Sequence, residues 1–169
     1  MAENLTSSPN NGNTIVMGST GYDSTSDTLL HIKRVNELLI RFSKDLMYRA
    51  TYHDNSKLID PEKSLFDEFT PKLKGCTYGS EEYKSYLSSL KVALDNHYAK
   101  NSHHPEHYEN GVDGMDLLDL VEMFMDWKAA GERHADGNIT KSIEHNKDRF
   151  KLSEQVVSIF KNTVRNYGW

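Results

Sequence analysis

Three stretches of the chain combine imidazole and carboxylate side chains. The first is the dipeptide His53-Asp54. The second runs from residue 97 to 107 and holds four of the eight histidines, namely His97, His103, His104 and His107. The third comprises Asp119, Glu122 and Asp126. Imidazole and carboxylate groups are ligands for first-row transition metals, and a His-Asp dipeptide offers one of each from adjacent positions. We therefore predict that the three stretches meet around one or two metal ions.

An amphipathic helix is predicted to lead into the His53-Asp54 dipeptide, with Ser26 or Asp27 as its cap. Its apolar residues recur at steps of three and four, the spacing of one helical face: Ile32, Val35, Leu39, Phe42 and Leu46. His31 precedes Val35 by four residues and is expected on the same buried side. A histidine on such a face is either a hydrogen-bonded core residue or a ligand.

The remaining elements are also predicted to be helical. His53-Asp54 is placed in a short second helix, and Pro61 in the first turn of a third, with Glu68 beside its inward apolar residues. A helix from Ser80 to about residue 100 ends its apolar face at His97, and a polar loop covers 101–114. Further helices cover 115–130 and begin near residues 139 and 153. No period-two pattern occurs, so the predicted fold is all-α, a bundle of about six to seven helices.

The acidic residues of the helix over 115–130 share one side. At 100° per residue, Asp119, Glu122 and Asp126 fall within an arc of about 60°. An acidic stripe on an apolar helix is usually its solvated face. The alternative is that it faces inward, where a bound cation would offset the cost of burying carboxylates.

Composition limits the function further. The chain has 169 residues, 37% hydrophobic and 27% charged, and a net charge of −5, which argues against an extended nucleic-acid surface. Cys76 is the single cysteine, which excludes an internal disulfide and fits a reducing compartment. No stretch matches a membrane span or a signal peptide. We expect a disordered or loosely ordered tail over 1–25, one domain over 26–169, and a cytoplasmic protein whose oligomeric state, a homo-oligomer included, is left open.

The order of these residues resembles the HD superfamily of metal-dependent phosphohydrolases. A helical His, a His-Asp pair, a further His, a His-His pair and a late helical Asp follow one another in that family. Here 53–57 reads as the HDxxK form. His103-His104 with Asp113-Gly114 is similar to the HH and DG signals of the cyclic-dinucleotide phosphodiesterase branch, whose GYP signature is absent.

A closer resemblance is to a small uncharacterised HD-like family of phage and bacterial proteins. Its pattern pairs an HDxSK stretch with a histidine, an asparagine and an HH pair, followed by an EMxxDW helix. In this chain residues 53–57 match the HDxSK stretch, and residues 122–127 match the EMxxDW helix. His97, Asn101 and the pair His103-His104 match the histidine, the asparagine and the HH pair. The resemblance spans about residues 31–134.

The resemblance implies a site and a reaction. Its first metal would be held by His31, His53, Asp54 and Asp126, and Asp54 would bridge to a second held by His97 and His103 or His104. Glu68 or Glu122 would orient the attacking water or a ligand histidine, and Lys57, Asn101, Arg133 and His134 would contact substrate. The implied catalytic set is Asp54, Glu68, Glu122 and Lys57. The implied activity is hydrolysis of a small nucleotide or cyclic nucleotide with one or two divalent ions (Mn, Fe, Zn, Co or Mg).

Two other classes of function remain open at this point. An HD-type oxygenase would use the same four histidines and two aspartates for a di-iron pair. A non-catalytic protein would instead sequester a nucleotide or hold a structural metal, a role that suits a phage-encoded protein acting in the host cytoplasm. Iron content with oxygen-dependent turnover would identify the first, and tight nucleotide binding without product release the second.

Overall fold

The computed structural model describes residues 21–76, 80–133 and 137–169. These residues form six α-helices and no strand, which confirms the all-α prediction. The helices are α1 (Thr25–Tyr52), α2 (Glu62–Gly75), α3 (Glu81–Lys100), α4 (Leu117–Glu132), α5 (Ile139–Phe150) and α6 (Glu154–Tyr167). Short 3-10 helices cover Asn55–Leu58, Pro105–His107 and Gly111–Gly114. The chain divides into two compact units, Met1–Leu39 and Ile40–Trp169.

The described part of the first unit is the beginning of α1 and the four residues before it. Ile32, Val35 and Leu39 are 56%, 39% and 62% exposed, and His31 is exposed as well. The prediction that this apolar face is buried is therefore wrong for these residues. Within this unit α1 is the single described helix, and one helix alone has no second element against which to bury a face. The tail predicted over 1–25 lies mostly outside the described residues and stays a prediction.

The hydrophobic core of the second unit lies between α4, α5 and α6. Its buried members are Met123, Phe124, Ile139, Ile143, Leu152, Val157, Phe160 and Val164. The rings of Phe124 and Phe160 stack with their centroids 4.5 Å apart, a favourable aromatic arrangement. On α6, Val157, Phe160 and Val164 face the core, whereas Ile159, nearly opposite Val157 around the helix, is 56% exposed. No helix of the described residues combines the length and apolar character of a membrane span.

Several helices begin directly after a residue whose side chain caps the helix N-terminus. Ser80 caps α3, Asn138 caps α5 and Ser153 caps α6, each accepting a hydrogen bond from a backbone N–H of the first turn. Helix α4 begins at Leu117, two residues later than predicted, because Asp116 and Asp119 form a reciprocal capping box at its start. These local hydrogen bonds place three of the four helix starts within one residue of the prediction.

The His53-Asp54 dipeptide does not lie in a short second helix, as the sequence had suggested. Helix α1 continues to Tyr52, and Asp54 then adopts a left-handed backbone conformation with φ 57°. Aspartate tolerates this region better than most residues. The turn leads into the 3-10 helix Asn55–Leu58, and it leaves His53 and Asp54 at the end of α1, beside α3 and α4.

Candidate metal centre

Asp54 stands at the centre of a cluster of histidines. One of its carboxylate oxygens, Oδ1, lies 3.3 Å from His97 Nε2 and 3.5 Å from His103 Nε2. His104 Nε2 lies 2.9 Å from His97 Nε2. These four residues each offer one ligand atom, and the four atoms lie within 4.8 Å of one another. Three imidazoles and a carboxylate converging on one point are a donor set suited to a divalent transition metal.

His97 is held in a ligand orientation by a buried glutamate that faces its other nitrogen. Glu62 is fully buried, and its Oε2 lies 2.9 Å from His97 Nδ1. The same oxygen accepts a hydrogen bond from Ser56 Oγ at 2.8 Å, and Asn101 Nδ2 donates to Ser56 Oγ at 2.8 Å. In the tautomer that donates from Nδ1 to Glu62, the Nε2 lone pair is directed at Asp54. This is the carboxylate–histidine arrangement that orients ligands in metal sites.

Glu122 orients two further histidines in the same way. Its Oε1 lies 2.9 Å from His53 Nδ1 and 3.3 Å from His103 Nδ1. The Nε2 atoms of both rings therefore point towards Asp54, at 3.5 Å from Oδ2 for His53 and 3.5 Å from Oδ1 for His103. His53, His103 and Glu122 also qualify as a ligand group by themselves.

A third ligand group shares Asp54 with the first. It consists of His53, Asp54 and Asp126, and His53 Nε2 lies 3.6 Å from Asp126 Oδ1. Asp54 thus has one oxygen among His97, His103 and His104 and the other beside His53. A carboxylate placed between two sets of donors can bridge two ions.

Two buried atoms of this cluster make no hydrogen bond within the described residues. They are Asp54 Oδ1 and His103 Nε2. Buried polar atoms without partners are costly and rare, and a cation between them would satisfy both. The residues present therefore fit one or two metal ions.

The pKa values of the cluster show how strongly its charges interact. Hydrogen bonds to Asp126 and Glu122 raise the pKa of His53 to about 10 against the opposing effect of burial. Burial, reinforced by the neighbouring His103 and His97, lowers the pKa of His104 to about 3. His104 is therefore neutral and ready to bind a metal, whereas a metal at His53 must first displace a proton.

The carboxylates of the cluster stay ionised. Burial alone would raise the pKa of Asp54, but the contacts with His97 and Lys57 outweigh it and hold the pKa well below its usual value. The pKa of Glu122 is likewise lowered, because its interactions with His103, His53 and Arg49 outweigh burial. Anionic carboxylates and a neutral imidazole are the protonation states that ligands need.

A second polar network, centred on Asp119, supports the ligands. Asp119 is buried and accepts hydrogen bonds of 2.6 Å from Arg49, Ser102 and Tyr108. Arg49 also donates to Glu122 at 3.1 Å. The Arg49 guanidinium therefore connects Asp119, at the start of α4, to Glu122, which in turn contacts His53 and His103. Gly114 is needed nearby, because a Cβ there would stand 2.8 Å from Tyr108 Cβ.

Of the two interpretations of the acidic stripe on α4, the structure has the one in which the stripe faces inward. Asp119 is buried, and the side chains of Glu122 and Asp126 are 13% and 29% exposed. Phe124, on the opposite side of α4, and Met123, one turn after Asp119, belong to the hydrophobic core.

The structure places most of the predicted ligands close together. Other predicted site residues lie away from this cluster. His31 is exposed, lies in the first unit and belongs to none of the ligand groups of the described residues. Glu68 is exposed and pairs with Lys72 at 2.7 Å. It follows Glu62 by six residues, which places it about 120° away around α2. The buried carboxylate of that helix is thus Glu62.

The predicted substrate contacts have different surroundings. Lys57 Nζ lies 2.6 Å from Asp54 Oδ2 and so pairs with the central carboxylate. Asn101 is engaged with Ser56 and the backbone of His97. Arg133 is exposed at the end of α4, about 10 Å along the helix axis from Asp126. His134 lies outside the described residues.

Three supporting residues were missed from the sequence: Arg49, Ser56 and Glu62. Glu62 stands in the first turn of a helix, where an acidic residue usually complements the helix dipole at the surface. Arg49 could have been predicted, since it precedes His53 by four residues, one helical turn before the end of α1. Ser56 could not, because its role depends on the position of Glu62.

Glu62→Gln is expected to weaken metal binding without removing the ligands. An amide still fills the space but no longer holds the hydrogen on His97 Nδ1 as strongly, and loss of such supporting contacts typically costs about 10–100-fold in metal affinity. Titration with Zn²⁺ against a competing chelator measures the change. Glu68→Gln on the same helix is the control, and an equal loss in both variants would contradict the assigned role.

His103→Ala is expected to reduce metal content far more than His107→Ala. His103 is buried with Nε2 directed at Asp54, whereas His107 is exposed and its Nδ1 lies 2.7 Å from the carbonyl oxygen of Tyr98. Elemental analysis of both purified variants measures the difference. If His107→Ala lost more metal, the loop ligands would be wrongly assigned.

The described residues thus define an all-α protein with a partly buried histidine–carboxylate cluster able to hold a metal ion. The chain belongs to a protein family of unknown function (DUF5662), whose model matches residues 20–166. We found no significant match to a curated protein and none to a solved structure. The resemblance to the HD superfamily stays a prediction.

Proposed function

We propose that this protein is a metal-dependent hydrolase of phosphate esters that acts on a small nucleotide or cyclic nucleotide. The observation that carries the proposal is the position of Asp54 between two sets of donors, with one buried oxygen that has no hydrogen-bond partner in the described residues. The resemblance to metal-dependent phosphohydrolases supports the same reaction class. Divalent ions bound there would lower the pKa of water and polarise a phosphoryl oxygen.

The residues of the chain have distinct roles in this proposal. His97, His103, His104 and Asp54 would hold one ion, and His53, Asp54 and Asp126 would hold a second. Glu62 and Glu122 fix the ring orientation of the ligand histidines. Lys57 beside Asp54 supplies a cationic donor for a phosphoryl oxygen, where charge grows in the transition state.

The reaction itself is a simple displacement at phosphorus. The oxygen of a water molecule forms a bond to phosphorus, and the ester P–O bond breaks. The leaving oxygen takes up a proton, so that an alcohol and a phosphate are released from a monoester, and a linear phosphate ester from a cyclic substrate. His104, with its lowered pKa of about 3, is neutral at pH 7 and would serve as a metal ligand, not as a proton donor.

Metal content and phosphate release together test the proposal. The purified protein is stripped with a chelator, reloaded separately with Mn²⁺, Fe²⁺, Zn²⁺, Co²⁺ or Mg²⁺, and incubated with nucleoside monophosphates, nucleoside triphosphates and cyclic nucleotides. We expect stoichiometric metal and metal-dependent product with at least one substrate class. Metal-replete protein that gives no product from any of them would overturn the proposal.

Two results would identify the other classes of function. Stoichiometric iron with substrate-dependent oxygen consumption would identify an oxygenase, for which histidine and carboxylate ligands are equally suitable. Tight nucleotide binding by the metal-replete protein, without turnover, would identify a sequestering protein. Oxygen consumption and equilibrium dialysis measure these two properties directly.

A further inference from the structure

A recess of about 430 Å³ opens beside the candidate metal centre, between the end of α1 and α4. Its apolar lining comprises Leu46, Ala50, Val121, Met125 and Ala129. Four charged or titratable residues of the candidate metal centre and its supporting network also line it, namely Arg49, His53, Glu122 and Asp126. The recess and the metal centre are therefore continuous.

The sequence explains why the space is there. Ala50 and Ala129 contribute a methyl group each, one from either helix, where larger residues would close the gap. The lining residues of α4 recur at steps of four: Val121, Met125 and Ala129. Two of them directly precede residues of the metal centre, since Val121 comes before Glu122 and Met125 before Asp126. One stripe of α4 therefore lines the recess and the adjacent stripe presents the ligands.

The size and chemistry of the recess fit part of a small molecule. Small-molecule sites occupy about 300–1,000 Å³ and are mostly apolar with a few convergent polar groups. Here the polar groups lie together on the side of the metal centre. A thioether such as that of Met125 adapts its shape and makes favourable contacts with aromatic rings.

We infer that this recess receives the nucleobase of the substrate while the phosphate lies at the metal centre. The inference rests on the proposed function and specifies its substrate class as esters in which an aromatic base is joined to the phosphate through a sugar. Because the part of the lining away from the metal centre is apolar, contact with the faces of the base dominates recognition there, and the presence of a base matters more than its identity.

Comparison of two phosphate esters tests the inference. Adenosine 5′-monophosphate carries a base, and ribose 5-phosphate lacks it. We expect the metal-replete protein to show a kcat/KM for the first at least about tenfold higher, the scale on which a filled apolar pocket discriminates. Ala129→Phe should fill the recess and lower kcat/KM for adenosine 5′-monophosphate about tenfold more than for ribose 5-phosphate.

Matched variants separate the recess from general effects. Ala130→Phe places the same ring on the next residue of α4, which is also exposed but does not line the recess, and it should leave the ratio of the two kcat/KM values as in the wild type. Ala50→Leu narrows the recess from α1 and should act like Ala129→Phe. Metal content is measured for each variant.

The outcomes distinguish the inference from the function on which it rests. Equal hydrolysis of the two esters, or an unchanged ratio in both Ala129→Phe and Ala50→Leu, would overturn the inference and leave the proposed function standing. Metal-replete protein that hydrolyses neither these esters nor any other nucleotide would overturn the proposed function, and this inference with it.

Discussion

Replacing Asp54 with alanine is expected to abolish metal binding while the helical content stays close to that of the wild type. The carboxylate lies between both sets of donors, so its loss removes a ligand from each. Its side chain contributes nothing to the hydrophobic core, which lies between α4, α5 and α6. Elemental analysis gives the metal content, and circular dichroism gives the helical content. Full metal retention in this variant would contradict a centre that shares Asp54.

A second substitution separates the carboxylate from the backbone conformation at this position. Asp54 has φ 57°, and alanine disfavours this left-handed region by about 1–2 kcal/mol. Asparagine tolerates the region well, so Asp54→Asn tests the charge with less backbone strain. We expect strongly reduced metal content in both variants. Asp95→Ala removes an exposed carboxylate that, among the described residues, forms an ion pair with Lys91 of α3, and it should retain the metal of the wild type.

Replacing Asp119 with alanine is expected to lower the free energy of unfolding more than any other substitution proposed for this protein. The carboxylate accepts hydrogen bonds from Arg49, Ser102 and Tyr108 while buried. Removing one partner of a buried charged pair typically costs about 3–5 kcal/mol, because the other charge is left without compensation. Urea unfolding of the metal-free protein measures the free energy of unfolding, and a lower midpoint at an unchanged slope is expected.

The same carboxylate should make stability depend on pH. Burial alone would raise the pKa of Asp119, but the hydrogen bonds from Ser102, Tyr108 and Arg49 outweigh it and lower the pKa. Its contribution is therefore present above the pKa of the unfolded chain, about 4, and is lost as the pH falls through the lower folded value. The stability difference between the wild type and Asp119→Ala should narrow in acid. Asp148→Ala, an exposed substitution on α5, is the control and should show neither effect.

Helix formation was predictable wherever local signals decided it. Ser80 and Ser153 accept hydrogen bonds from the N–H groups of the first turns that follow them, and the apolar periodicity identifies the helices behind them. Local signals did not predict where α1 ends. The left-handed conformation of Asp54 interrupts the helix at a point where neither glycine nor proline marks a break.

Burial was predictable only where a second helix covers the face in question. The apolar residues of α4 and α6 meet in the core, as Phe124 and Phe160 do. The equally regular apolar face at the start of α1 is exposed, since periodicity indicates which residues share a face and not whether another element covers it.

The amino-acid sequence by itself determined the helical fold class and the residue types of the centre. Imidazole and carboxylate groups at His53, Asp54, His97, His103, His104 and Asp126 are sufficient to predict a metal site, because their chemistry belongs to the side chains. Only the tertiary structure decided that Glu62 and not Glu68 faces His97, that Arg49 and Asp119 support Glu122, and that an apolar recess adjoins the ligands. These features depend on distances between residues far apart in the chain, which the packing of one helix on another sets and no local pattern records.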